Sequence, residues 1–402
     1  MHSPSIVALN AGSSSVKLAV FGSEGGLPLR FSAQIDAIGV DPALMLRGPE
    51  GTRLAAPPLP PGPADHASLT SFLLADVVRP RLGALLGIGH RVVHGGTHYR
   101  DPQLVTPDLI AGLEALVPLA RSHQPHNIAG IRAAAEAWPD APQIACFDTA
   151  FHRTLPETEW RFAVPAELAE EGVRRYGFHG LSYQAVAEQL HNHLGPLARA
   201  PLVVAHLGNG ASLCGMVNLE SRSTTMGFTP LDGLVMGKRP GRLDPGILLY
   251  LMKEKGMGPE ALSQLLNSRC GLFGLSGGIS EMRELLASGE PRCRLAIDIF
   301  VHRLASEIAA TATAIGGLSA LVFTGGIGEN AAEIRARTVA RLAWLGARLD
   351  PERNDAGGPE IGALDSAMRI LVLRTDEERV IARAVRTLVQ PETAPPDASH
   401  LH

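Results

Sequence analysis

Apolar residues near the start of the chain come in two short runs separated by a small polar turn. Ile6-Val7-Ala8-Leu9 leads into Asn10-Ala11-Gly12-Ser13-Ser14-Ser15, and Val16-Lys17-Leu18-Ala19-Val20-Phe21 follows. Runs rich in β-branched residues on both sides of such a turn predict a β-hairpin. The pattern returns at mid-chain, where Leu202-Val203-Val204-Ala205 enters His206-Leu207-Gly208-Asn209-Gly210-Ala211-Ser212, followed by Leu213-Cys214-Gly215-Met216-Val217. Two such units half a chain apart predict a duplicated domain. The plainer alternative is that Gly-rich hairpins are common.

Elsewhere the apolar spacing changes to that of helices. Residues 107–119, 128–138, 181–194, 244–253, 294–314 and 378–389 are predicted to be helical. Short buried runs at 143–147, ending at Asp148, and at 320–323, entering Thr324-Gly325-Gly326, read as strands. Alternation throughout predicts α/β layers. The expected division is 1–150 and 151–377, with the helix at 378–390 belonging to either part. The Pro-rich stretch 54–64 reads as a surface loop and 391–402 as a flexible tail.

Composition narrows the functions. With 402 residues there is room for two ordinary cores. A net charge of -4 argues against nucleic acid as a main partner, which needs a strong positive field. No apolar run has the length to span a bilayer, and the N-terminal run is too short for a signal peptide. The four cysteines, Cys146, Cys214, Cys270 and Cys293, form no CxxC pair, and reduced thiols in a cytoplasmic protein are the simplest reading. The fifteen histidines show no metal-ligand spacing, which argues against a zinc enzyme.

Polyphosphates are held by backbone amides that approach the anion closely, which requires turns of small residues. Three places supply them: 10–15 with Lys17 beyond, 206–210, and 325–330, the last read as a turn before an Ala-rich helix whose N-terminus adds its dipole. Each alone is more often just a turn. Together, in a chain without GxxxxGK[ST], they favour a duplicated nucleotide-binding cleft. Gly89-His90-Arg91-Val92-Val93-His94-Gly95-Gly96 places a guanidinium in an apolar run. Arg91 is either an edge-strand residue facing water or a fork for a carboxylate or phosphate. Arg239 stands in a Gly/Pro-held loop at 237–246. Asp148 at a strand end suits either magnesium or a helix cap. His179, between Gly177-Phe178 and Gly180, is either structural or catalytic.

Taken together, these strings resemble the acetate kinases of the acetate and sugar kinase, heat-shock chaperone and actin superfamily. Further matches are Phe147 to His152, Met226-Gly227-Phe228-Thr229-Pro230-Leu231-Asp232-Gly233-Leu234 and Thr375-Asp376-Glu377-Glu378, all in the family order from residue 6 to about 385. The resemblance implies two duplicated actin-like (ribonuclease H-like) domains with a nucleotide-binding cleft between them. It implies reversible phosphoryl transfer between ATP and acetate, giving acetyl phosphate and ADP, with Mg²⁺ or Mn²⁺, in a cytoplasmic homodimer. Carried over by position, Asn10 and Glu377 would be metal ligands, with Asp148 beside the metal and the transferred group. Arg91, Arg239, His179, His206 and His123 would be catalytic. Ser13, Ser15 and Lys17 would line the phosphate end. His206, Leu207, Gly208, Asn209 and Gly210, then Glu281, Met282 and Arg283, then Gly326, Ile327, Gly328, Glu329 and Asn330 would bind the nucleotide. Val93, Phe178 and Pro230 would form the acyl pocket together with Ser122, which stands where the family usually has Leu. Lys238, Pro240 and Arg242 replace the usual Thr, Ser and Asp, and Glu281 an Asp. The rival readings are a propionate kinase and, from another class, an actin-like or chaperone-like ATP-binding module.

Overall fold

The structure, a computed structural model, describes residues 3–12, 15–61 and 65–390. Ser13, the last part of the Pro-rich stretch and the tail expected at 391–402 lie outside the described residues. The chain divides into two compact units, one reaching to Ala150 and resuming at Asp376, the other running Phe151–Thr375.

Seven strands build the sheet of the first unit: β1 (Ser5–Ala11), β2 (Val16–Gly22), β3 (Leu29–Asp36), β4 (Ala43–Arg47), β5 (Leu85–Val92), β6 (Gln103–Leu104) and β7 (Gln143–Phe147). Their order is β4-β3-β2-β1-β5-β7-β6. Both expected hairpins are present. In the first, Asn10 pairs with Lys17, and β1 continues into parallel pairing with β5, and β5 with β7. The second unit has β8 (Leu202–Leu207), β9 (Ala211–Val217), β10 (Glu220–Thr224), β11 (Ala320–Thr324) and β12 (Arg369–Val372), ordered β10-β9-β8-β11-β12. The strands β3-β2-β1-β5-β7 and β10-β9-β8-β11-β12 therefore have one topology, an antiparallel meander continued by two parallel strands. This is the duplicated α/β architecture that the two hairpins predict.

Each sheet is covered on both faces, which is why β1, β7, β8 and β11 are almost wholly buried. On one face of the first sheet, Val7, Leu9 and Ile88 pack with Leu69, Leu73 and Ala134. The other face takes the helix Glu377–Val389. Here two glycines decide the fit: a Cβ on Gly89 would lie 2.2 Å from Ile381, and one on Gly87 3.0 Å from Val385. Bare backbone lets the helix settle onto β5, with Ile381 and Val385 fully buried. In the second unit Gly215 does the same for the helix Pro291–Ala314, since a Cβ there would meet Thr311 and Ile315 at 2.8 Å. The opposite face packs on the helix Gly180–Leu194 through Tyr183, Val186 and Leu190.

Helix bounds differ modestly from those expected. The helix read at 128–138 begins earlier, as Gln124–Ala137, and the one read at 107–119 stops at Ala115. One expectation is overturned. The segment 325–330 is not a turn before a helix but a short helix itself, Gly325–Asn330, entered at Gly325 with φ of +77°.

Candidate active site

In the first unit the parallel strands β1, β5 and β7 present their carboxyl ends side by side. Asn10 lies near the end of β1, Arg91 near the end of β5, and Asp148 directly after β7. Arg91 sits on a central strand, paired on both sides, so the edge-strand reading fails. Its Nε donates to Asp148 Oδ2 at 2.9 Å, Nη2 donates to the same oxygen, and Nη1 donates to Asn10 Oδ1 at 3.1 Å. Three of the five guanidinium N–H groups are thus engaged, and the plane of the fork is fixed. Asp148 is completely buried and caps no helix of its own.

The helix seated on Gly87 and Gly89 begins at this group. Asp376 caps it, accepting from Arg379 N at 3.0 Å, and Glu377 Oε2 comes to 4.0 Å from Arg91 Nε. Glu377 is therefore the nearer of the two adjoining carboxylates. Burial pushes its carboxyl up, Arg91 pulls it down, and Asp148 and Glu378 push it up again, leaving it at about 7. Burial raises Glu378 as well. Burial opposes the charge on Arg91, but Asp148 and Glu377 more than restore it, so its pKa rises. Three carboxyls thus face two cations, Arg91 and Lys17. Moreover, Asp148 Oδ1 is buried and has no hydrogen-bond partner among the described residues. An unmet oxygen and a shortage of positive charge fit a divalent cation held by Asn10, Asp148 and Glu377 with phosphate oxygens. Among the described residues, no three His, Cys, Asp or Glu form a ready metal cage. Lys17 is exposed and lines a cavity of about 330 Å³ with Glu378 and Arg47. Ser15 closes the first hairpin turn, its carbonyl accepting from Gly12 N at 2.9 Å.

Sequence reasoning missed the residues that fix these strand ends. Asn127 accepts from Val93 N at 2.9 Å and donates to Ala11 O at 2.7 Å, tying β1 to the end of β5. Gln124 donates to His94 O at 3.1 Å, and its Oε1 accepts from His94 N at 3.3 Å. Both amides are buried in the first turn of the helix Gln124–Ala137. His123 sits at the N-cap of the same helix, its Nδ1 2.8 Å from Ser122 Oγ. Ser122 is exposed, whereas Val93 is buried.

The second unit gathers another group around the β8–β9 turn. His179 precedes the helix Gly180–Leu194 with φ of 60°, a left-handed conformation unusual for histidine. Its Nδ1 is 2.9 Å from Ser212 Oγ, and its ring stacks on His206 with centroids 4.3 Å apart. His206 Nδ1 is 2.8 Å from Ser182 Oγ. A Cβ on Gly210 would lie 2.8 Å from Arg239 Nη2 and 3.1 Å from His179 Nε2. Arg239 Nη1 donates to Pro230 O at 2.7 Å. His179, His206, Gly210, Pro230 and Arg239 are therefore brought together as expected of one site. Leu207 is buried and serves the core. Phe178 is likewise buried, its carbonyl 2.9 Å from His152 Nε2. His152, also missed, is held neutral: burial drives its pKa down to about 4. Gly177, with φ of +74°, leaves room for the His152 ring, which a Cβ would meet at 2.5 Å.

The remaining nucleotide segments divide by orientation. Gly208 N donates to Gly210 O at 3.0 Å, closing the turn, and Asn209 Nδ2 donates to Glu281 Oε1 at 3.1 Å. Glu281 and Arg283 are exposed, but Met282 is buried in the core. In Gly325–Asn330, Gly326 is open, Ile327 half-buried and Gly328 buried, and Asn330 Nδ2 donates to Gly326 O. Glu329 turns back on its own helix, accepting from Gly325 N at 3.0 Å and Thr375 N at 3.3 Å. Arg335 is fully buried and hydrogen-bonds to amide oxygens. It donates to Gly328 O, Glu329 O and both oxygens of Asn354, at 2.7 to 3.0 Å, closing the C-terminal end of this short helix. The additional cations near Arg239 are directed elsewhere. Arg242 pairs with Glu307 at 3.1 Å, and Lys238 Nζ lies 5.8 Å from the Phe273 ring centre.

Comparisons with known proteins bear on the whole chain. The acetokinase family model matches residues 5–383. An acetate kinase of Nitrobacter hamburgensis is 46% identical over 388 residues, 96% of each chain. One from Rhizobium meliloti is 44% identical, covering 97% of this chain and 99% of its own. Among solved structures, a propionate kinase from Francisella tularensis superposes with a TM-score of 0.88 at 36% identity, covering 95% of this chain and 98% of its own. Porphyromonas gingivalis acetate kinase does so at 0.85 and 33%, covering 96% and 100%.

Proposed function

Because the chain belongs to the acetokinase family, we propose that it transfers a phosphoryl group reversibly between ATP and acetate, forming acetyl phosphate and ADP. The observation that carries this reading is the group formed by Asn10, Arg91 and Asp148 at the ends of three parallel strands with Glu377 at the start of the adjoining helix. A fixed guanidinium among surplus carboxylates suits an anion that arrives together with a metal. Phosphoryl transfer asks for positioning and neutralisation of charge more than for covalent help. An acetate oxygen is already a nucleophile, so no residue has to remove a proton, and we favour direct in-line transfer. Arg91 and Arg239 offset charge on the oxygens being exchanged, and His179 donates a hydrogen bond to them. His206 and His123 support this set. Asn10, Asp148 and Glu377 would hold Mg²⁺, which when bound would further neutralise the phosphates. Lys17 and the serines of the first turn attend the phosphate end. The turn at 206–210, Glu281, Arg283 and Gly326 attend the nucleotide, while Glu329 and Met282 act through the backbone they hold.

Acetate is favoured over propionate by the relatives at 44–46% identity that are named acetate kinase, against the structure at 36% named propionate kinase. Val93, Phe178 and Pro230 would wall the acyl group. One methylene is worth about 1–3 kcal/mol in such a pocket, so the preference is one of degree. The decisive experiment incubates the protein with ATP, Mg²⁺ and acetate, propionate or butyrate, and traps acyl phosphate with hydroxylamine. Hydroxamate formed fastest from acetate supports the reading. ATP hydrolysis indifferent to the acid would replace it with an ATPase module.

Association into a homodimer is part of the proposal. The helix Pro245–Lys253 exposes Ile247, Leu249, Tyr250 and Met252, each between 42% and 55% accessible, an apolar surface suited to a second copy. Sedimentation at micromolar concentration tests it. Four free thiols, three of them buried, suit the cytoplasm as the place of action.

A further inference from the structure

We propose that Ser212, with Tyr183 hydrogen-bonded to its oxygen, sets the tautomer of His179, holding the proton on Nε2, so that the ring acts as a neutral hydrogen-bond donor. This rests on the reading of His179 as a group that meets the transferred phosphoryl. Tyr183 lies on the helix Gly180–Leu194 one turn beyond His179, and its hydroxyl is hydrogen-bonded to Ser212 Oγ. Tyr183 and Ser212 are both fully buried. Ser212 Oγ is 2.9 Å from His179 Nδ1. The three groups therefore form one chain, Tyr183 to Ser212 to His179, and its protons can be counted.

Among the described residues, Ser212 is the only hydrogen-bond partner of the Tyr183 hydroxyl. Burial also raises the phenol well above its ordinary pKa of 10, so it keeps its proton. That proton goes to Ser212 Oγ. The serine then has one proton to give, and Nδ1 of His179 is the acceptor in reach. Nδ1 accepts, so the proton of the neutral ring resides on Nε2. The opposite tautomer fails this count. With a proton on Nδ1, Ser212 would have to accept it. Its own proton would then either turn toward the tyrosine oxygen, stranding the Tyr183 proton, or find no acceptor at all. Either arrangement leaves a buried donor unmet.

Nε2 is the nitrogen on the reactive side. It lies 3.1 Å from where a Gly210 Cβ would be, and Arg239 Nη2 lies 2.8 Å from the same point. The imidazole Nε2–H thus stands beside the guanidinium, both close against the backbone of Gly210. His179 needs no second proton to donate. Taking one on Nδ1 would require the whole chain of hydroxyls to reverse.

The test is nitrogen NMR on protein labelled at histidine nitrogens, with His179 assigned by the loss of its signals in His179→Gln. Wild type is expected to show a pyridine-type Nδ1 and a pyrrole-type Nε2. Ser212→Ala removes the donor to Nδ1, and a mixed or reversed pattern is expected, with kcat reduced about tenfold and KM little changed. In Tyr183→Phe, Ser212 keeps its proton with Nδ1 as the acceptor in reach, so the wild-type pattern should persist. Adding Tyr183→Phe to Ser212→Ala should cost nothing further. A pyrrole-type Nδ1 in the wild type, an unchanged pattern in Ser212→Ala, or a reversed pattern in Tyr183→Phe overturns the proposal. The spectra do not depend on which acid is phosphorylated, so a failed hydroxamate assay with the expected spectra would sink the reaction assignment alone.

Discussion

Glu377→Gln is expected to make the protein without ligands more stable and to abolish its activity, and the size of the first effect follows from the structure. Glu377 is half-buried beside Arg91, Asp148 and Glu378, and its carboxyl sits at about 7, against an ordinary 4.5. A folded pKa raised above the unfolded one means that the folded chain holds more protons between those values. Stability is therefore fullest below about 4.5 and is lost as pH rises through about 7. At about pH 8 the folded unit carries the cost of an ionised Glu377, on the order of 3 kcal/mol. Glutamine has the same shape and no charge, so that cost disappears. For a unit of this size the gain corresponds to about 6–12 °C in melting temperature. Calorimetric scans of both proteins at several pH values, without nucleotide or metal, provide the assay. The variant should melt higher at about pH 8, with the gap closing toward about pH 5. Mg²⁺ with ADP should raise the wild type more than the variant. A gap independent of pH, or a wild type more stable than the variant at high pH, would refute the reasoning.

Arg91→Ala and Arg239→Ala should each lower the hydroxamate rate on the order of 10²-fold or more, and near-full turnover in both would remove them from the chemistry. Gly210→Ala sets a methyl 2.8 Å from the Arg239 guanidinium and 3.1 Å from His179 Nε2. It should reduce kcat by about tenfold or more, with little change in melting temperature, since the displaced groups are side chains at the surface of a turn. Arg335→Met removes the donors that close the helix Gly325–Asn330. It is expected to destabilise by about 3 kcal/mol in thermal unfolding and to raise the KM for ATP more than that for acetate.

The strands were legible because β-branched runs bounded by small polar turns have few other uses, and both hairpins stand where the pattern puts them. The setting of Arg91 was not. Whether a strand is central or on the edge depends on partners far off in sequence, and β5 becomes central only through β1 and β7. Nor did the apolar spacing say where the last helix docks. That is decided by Gly87 and Gly89, which a reader of the strand takes for weakness and the helix takes for space. Gln124 and Asn127 escaped for a related reason. They are polar at the start of a helix, so the apolar period begins only at Ile128. Their burial comes from clamping the backbone of β1 and of the segment after β5, a contact with no local signature. The turn at 325–330 was misread because glycine usually ends helices, while here Gly325 starts one.

The duplication explains why the two halves offer different chemistry from one template. In each unit the last pair but one of the first hairpin is a polar cross-strand pair, Asn10 with Lys17 in one and His206 with Ser212 in the other. Facing residues in such a pair project to the same side of the sheet. In the first unit that side carries an amide and an ammonium group, joined by Arg91, Asp148 and Glu377 into a cluster of formal charges. In the second it carries an imidazole and a hydroxyl, joined by His179 and Tyr183 into a chain of hydrogen-bonding groups. The first set is short of positive charge and calls for a cation. The second is poised by its hydrogen bonds and calls for an oxygen to receive them. One fold used twice therefore does not give two equivalent sites. It gives one unit with a cluster of formal charges and one with a chain of hydrogen bonds, because the residues that join each hairpin pair differ while the strands that carry them do not.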